Sequence, residues 1–66
     1  MSVAEVKARH ESRLLSIPGV LGVAADTARN VIVVYVESEE AAARVPGEIE
    51  GFPVEVRVVG RVVPLG

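Results

Sequence analysis

Histidine is the side-chain type that titrates near neutrality, and this sequence has one, His10. It is the first candidate for a base, a metal ligand or a pH-responsive group. No Ser, Cys or carboxylate stands at a spacing that points to it, so the preferred reading is a partly buried ring packed on a sheet and hydrogen-bonded to a carbonyl or a Glu. Ligand binding at His10 is the alternative. The absence of Cys excludes disulfides, thiolate metal sites and thiol nucleophiles. Ser12 and Ser16 carry no nucleophile signature. Glu37, Glu39 and Glu40 cluster, and Glu48 and Glu50 flank the next turn. Hard cations favour such oxygens, but a dedicated Ca²⁺ loop sets Asp or Asn at alternating positions with a Gly, and that pattern is missing. These carboxylates read as solvated charge.

Gly19 and Gly22, in "IPGVLGV", have the spacing of a backbone loop shaped around a phosphate or an RNA strand. A phosphate cradle needs N–H groups at a helix N-terminus and a nearby cation. These glycines follow a predicted helix C-terminus, whose dipole repels anions. An RNA clamp of the Gly-x-x-Gly kind needs flanking cations and helices on both sides. The glycines are therefore read structurally, Gly19 as a helix stop after Pro18 and Gly22 as a strand residue under the ring of Tyr35. On that reading Gly22→Ala costs stability through the Tyr35 contact. No catalytic residue, cofactor or metal site is assigned, and the expectation is that the protein is not an enzyme.

The chain has 66 residues, which reads as one small α+β domain over 1–66, near the lower limit of what folds without staples. Fifteen residues are Val, while Tyr35 and Phe52 are the only aromatics. Such a core is built from β-branched side chains that favour strands. With a net charge of -2 and scattered cations, no basic stripe exists for nucleic acid. No apolar run reaches the ~18 residues of a membrane span, and the N-terminus does not read as a signal peptide. The expected setting is cytoplasmic. The lack of Gln and Cys beside plentiful Val, Glu and Arg suggests a thermophile.

Ser2-Val3-Ala4-Glu5 forms a capping box, and Val3, Val6, His10, Leu14 and Ile17 recur on one helical face running to about Ser16. Two apolar runs follow, Val20 to Ala25 and Val31 to Glu37, around a turn in which Asn30 tolerates a left-handed backbone. With a four-residue loop, Asp26 pairs with Val31, Ala25 faces Ile32, Val23 faces Val34 and Leu21 faces Val36. The opposite face then carries Val20, Gly22, Ala24, Val31, Val33 and Tyr35. Ser38 caps a short second helix to about Arg44. Ile49 and Phe52 anchor the connection, and Gly51 permits the turn into Pro53. In the last strand Val54, Val56 and Val58 point to the core. Gly60-Arg61 is either a two-residue turn into a further edge strand or a kink in an extended tail.

The order helix-strand-strand-helix-strand implies a two-layer sandwich with both helices on one face of a three- or four-stranded, antiparallel-rich sheet. From Ile17 to Val58, "IPGVLGVAADTARNVIVVYV" through "GFPVEV" resembles the heavy-metal-associated domain pattern, which implies a ferredoxin-like fold lacking its first strand. That family's Cys-x-x-Cys is absent, so its metal function does not carry over. From His10 onward, "IPGVLGV", "VIVVYVE" and "VPGEIEGFPVEVRVVG" also resemble a module found N-terminal to trypsin-like peptidase domains in some bacterial proteins. That resemblance implies a stand-alone accessory domain without catalytic residues.

If both helices cover one face, Val20, Gly22, Ala24, Val31, Val33, Tyr35 and Val59, broken only by Glu37, Glu55 and Arg57, leave the other as an apolar patch larger than a monomer normally exposes. A second copy, packed sheet to sheet or edge to edge, covers it in the favoured reading. The competing reading folds Val62, Val63 and Leu65 back over it. The function expected is a non-enzymatic, self-associating accessory or protein-interaction domain, a homo-oligomer with no nucleic-acid or membrane partner. The alternative is a small-ligand or metal-ion sensor at His10 or at the oligomer interface.

Overall fold

The computed structural model describes residues 2–60; the alternatives for residues 61–65 lie outside them. The elements run α1 (Val3–Leu15), β1 (Val20–Asp26), β2 (Val31–Val36), α2 (Glu39–Ala42), β3 (Glu48–Ile49) and β4 (Phe52–Val58). They form an α+β structure whose sheet has the order β1-β2-β4-β3. β1 pairs antiparallel with β2, and β3 antiparallel with β4. The central pair β2 and β4 is parallel, so the sheet is mixed. Parallel neighbours require a crossover, which the segment carrying α2 supplies.

Both helices start where their caps place them. The Glu5 N–H donates to the Ser2 hydroxyl at 3.2 Å, and that hydroxyl donates to the Glu5 carboxylate at 3.2 Å. Ser38 accepts from the Ala41 N–H at 3.2 Å. α2 is shorter than its alanines suggest because its end tightens. Arg44 and Val45 bond back three residues, to the carbonyls of Ala41 and Ala42, which is the 3₁₀ pattern.

Val3, Val6 and Leu14 of α1, Ile32, Val34 and Val36 of β2, Ala41 of α2 and Ile49 of β3 make one apolar cluster. Even-numbered β2 residues face it because strand side chains alternate. Val54 and Val56 pack against it as expected. Val58 does not; it is 45% exposed. β3 flanks β4 only at Phe52 and Pro53, so among the described residues no strand shields the far end of β4 on that side.

The hairpin register matches the expectation from Asp26↔Val31 to Gly22↔Tyr35 and then breaks. A β-bulge at Leu21 sets Val20 opposite Val36. This corrects the expected facing of Leu21 and Val36 and the placement of Val20 on the outer face. The extra residue shifts side-chain parity, so Val20 packs against the core and Leu21 is 56% exposed.

β3 has no counterpart in the expected order. Glu50 (φ 49°) and Gly51 (φ 86°) both have a left-handed backbone between the paired Ile49 and Phe52. A two-residue hairpin turn of the primed type needs that conformation.

Candidate functional site

His10 lies partly buried on α1, its side chain 22% exposed. Its Nε2 is 2.7 Å from a Glu50 carboxylate oxygen. The other Glu50 oxygen accepts from the Arg9 guanidinium at 3.2 Å. The expected histidine bonded to a Glu is therefore present, and the turn between β3 and β4 supplies that Glu. A left-handed backbone costs a non-Gly residue roughly 1–2 kcal/mol, and at Glu50 it delivers the carboxylate to α1. Beside this contact, His10, Arg13, Leu14, Ile17, Pro46 and Ile49 help line a cleft of about 290 Å³. Its charges are mixed, with Glu48 and Glu50 on one wall and Arg13 on the other. Among the described residues no group of three or more His, Cys, Asp or Glu is placed to hold a metal ion.

The second candidate region is the sheet face opposite the core cluster. Gly22 faces Tyr35 as expected, and a Cβ built on Gly22 would lie 3.7 Å from the ring carbon Cδ2. Val31 and Tyr35 are half-buried, and Val59 is 44% exposed. Val33 is buried, at 6% exposure. The expected charges on this face, Glu55 and Arg57, are tied by ion pairs to Arg29 and Asp26 of the hairpin. Asp26 accepts the Ala28 and Arg29 N–H groups at 3.1 Å each and the Arg29 Nε at 2.8 Å. Arg29 then reaches over β2 to Glu55 at 2.9 Å, which Arg57 also approaches at 3.4 Å.

The hydrogen bond from the Arg29 side chain, followed by that from its backbone N–H, holds the Asp26 carboxyl below the usual carboxylate range. The Arg29 hydrogen bond does the same for Glu55, against a smaller opposing effect of burial. The two carboxylates, Asp26 first, raise the Arg29 guanidinium in turn.

The sequence pointed to neither Glu50 as the partner of His10 nor Arg29 as the bridge between strands. His10 and Glu50 stand 40 positions apart, and no local pattern links them. Asp26 and Arg29 do carry a local signal, an Asx turn followed by a basic residue at i+3.

No helix among the described residues is long and apolar enough to cross a membrane. Compared with protein-family models, curated proteins and solved structures, the chain matches none.

Proposed function

We propose that this protein is a non-enzymatic accessory domain that works by self-association. One observation carries the reading. The described chain buries nine apolar residues while leaving Leu15, Leu21, Val58 and Val59 between 44% and 56% exposed. A domain this small buries only roughly 60% of the surface of its unfolded chain, and a second copy is the direct source of further burial. The ferredoxin-like arrangement belongs to the same proposal. Its support is the parallel β2–β4 pair joined through α2 and the single cluster fed by both helices. Light scattering tests the reading. A dimer or larger species at tens of micromolar is expected, and a strict monomer there would remove it.

A second reading, a small-ligand or metal-ion sensor, is favoured by the His10–Glu50 contact at the mouth of the cleft. An NMR titration of the His10 ring with Zn²⁺ tests it. Ring signals that stay in place at millimolar metal would leave the metal form without support.

A further inference from the structure

β1 is an outer strand of the sheet, and among the described residues no backbone pairs with its far side. Hydrogen bonds on β2 show which β1 groups are free. The Glu37 N–H donates to the Gly19 carbonyl on the β1 side, and the Val36 carbonyl accepts from Val59 on the β4 side. Backbone groups alternate sides along a strand, so Val31, Val33 and Tyr35 bond to β1. Their partners Asp26, Ala24 and Gly22 turn inward, and Val23 and Ala25 turn their N–H and C=O groups outward. The strand has neither Pro nor Lys, and Asp26 is its one charge. Of the devices that block edge pairing it lacks Pro and Lys, and the bulge at Leu21 confines free pairing to the stretch from Gly22 to Asp26.

α1 packs mainly over β1, and its orientation is fixed. Arg9 and His10 reach Glu50, on the β3 side of the sheet. The opposite flank, where Lys7, Glu11 and Leu15 stand four residues apart, therefore faces away from β3, toward the β1 side of the sheet. Lys7 and Glu11 form an ion pair there at 2.9 Å. They are placed symmetrically about Arg9, the middle of α1. The helix spans about 18 Å and the antiparallel β1 about 20 Å, so the two midpoints lie at similar levels.

We infer that a second copy of this chain pairs antiparallel along the β1 edge, about a two-fold axis near the middle of β1. This rests on the self-association proposed above and names its surface. Val23 and Ala25 supply the backbone bonds and continue the sheet into the other copy. The two α1 helices then lie antiparallel on the same side, where Lys7 of one meets Glu11 of the other, twice. A two-fold interface demands such self-complementarity. Leu15 and Leu21, both exposed in one chain, fringe its ends.

Charge reversal on this flank tests the assignment. Lys7→Glu presents two carboxylates to its own copy, and Glu11→Lys presents two ammonium groups. Each variant alone is expected to self-associate roughly tenfold more weakly, and an equimolar mixture is expected to recover the wild-type affinity as a mixed dimer. The double reversal, Lys7→Glu with Glu11→Lys, restores both sets of pairs and should dimerise like the wild type even if a single variant folds poorly. A Val59→Lys variant on the outer sheet face separates the two surfaces. Unchanged dimerisation fits the β1 edge, whereas loss of the dimer with the circular dichroism spectrum kept would place the interface on that face and overturn the edge assignment. A wild-type dimer indifferent to the single reversals and to mixing would overturn the edge assignment while self-association stands. A wild-type monomer at every concentration would overturn both.

Discussion

Gly19 satisfies two demands at once. Its φ of +92° lies in the left-handed region, which reverses the chain after Pro18, and a Cβ there would collide with the Cβ of Ala41. α2 therefore sits directly on the backbone of the turn, and the Arg44 guanidinium reaches the Pro18 carbonyl from the same helix end at 3.1 Å. Gly19→Ala combines backbone strain with overpacking and should cost about 3 kcal/mol, from a total of roughly 3–10 kcal/mol for a domain of this size. Gly22→Ala meets neither obstacle. Its new methyl would make ordinary contact with Tyr35, so the expected cost is corrected to within about 0.5 kcal/mol of zero. Urea denaturation of the two variants checks the contrast. The Tyr35 partnership of Gly22 follows from counting residues outward from the hairpin loop. The weight carried by Gly19 does not, since it depends on how closely a helix 22 positions later approaches.

The β1–β2 hairpin is the element in which sequence and structure agree most closely, and local chemistry explains why. Asp26 starts the loop as an Asx turn, Asn30 takes the left-handed conformation at φ 54°, and apolar runs on either side set the register. The bulge at Leu21 leaves no mark in the sequence because an inserted residue leaves an apolar run equally apolar. β3 has only a weak local signal because Glu-Gly stands where Asn-Gly or Asp-Gly usually announces a primed turn. Arg29 ties the hairpin loop to β4 through Glu55, and this tie depends on pH. Because folding lowers the Asp26 and Glu55 pKa values, their stabilising contribution is present above the ordinary carboxylate range and lost as pH falls through the lowered values. The stability gap between wild type and Arg29→Ala should therefore be open at pH 7 and close below about pH 4. Urea titrations at a series of pH values would reveal it, and a gap that persisted unchanged to pH 2 would show that Arg29 acts through packing alone.

At the scale of the whole molecule, the α+β class and the sequence of helices and long strands were legible because caps, periodicity and turn residues are local signals. The pairing of β2 with β4 and the crossing of the outer face by Arg29 depend on contacts between distant segments, which leave no mark in either segment alone. If folding and association are linked, thermal stability depends on protein concentration. A tenfold increase in concentration should raise Tm by about 5 °C for a two-state dimer of this length, measurable by circular dichroism. A concentration-independent Tm would separate folding from assembly.

The bulge at Leu21 also limits how far such a sheet can grow. Stacking into fibrils requires about six or seven consecutive residues in regular extension. The break at Leu21 leaves β1 only Gly22 to Asp26, a segment that begins with Gly and ends with Asp, both poor strand formers. A strand edge that would otherwise template filaments is thus kept too short for unlimited addition.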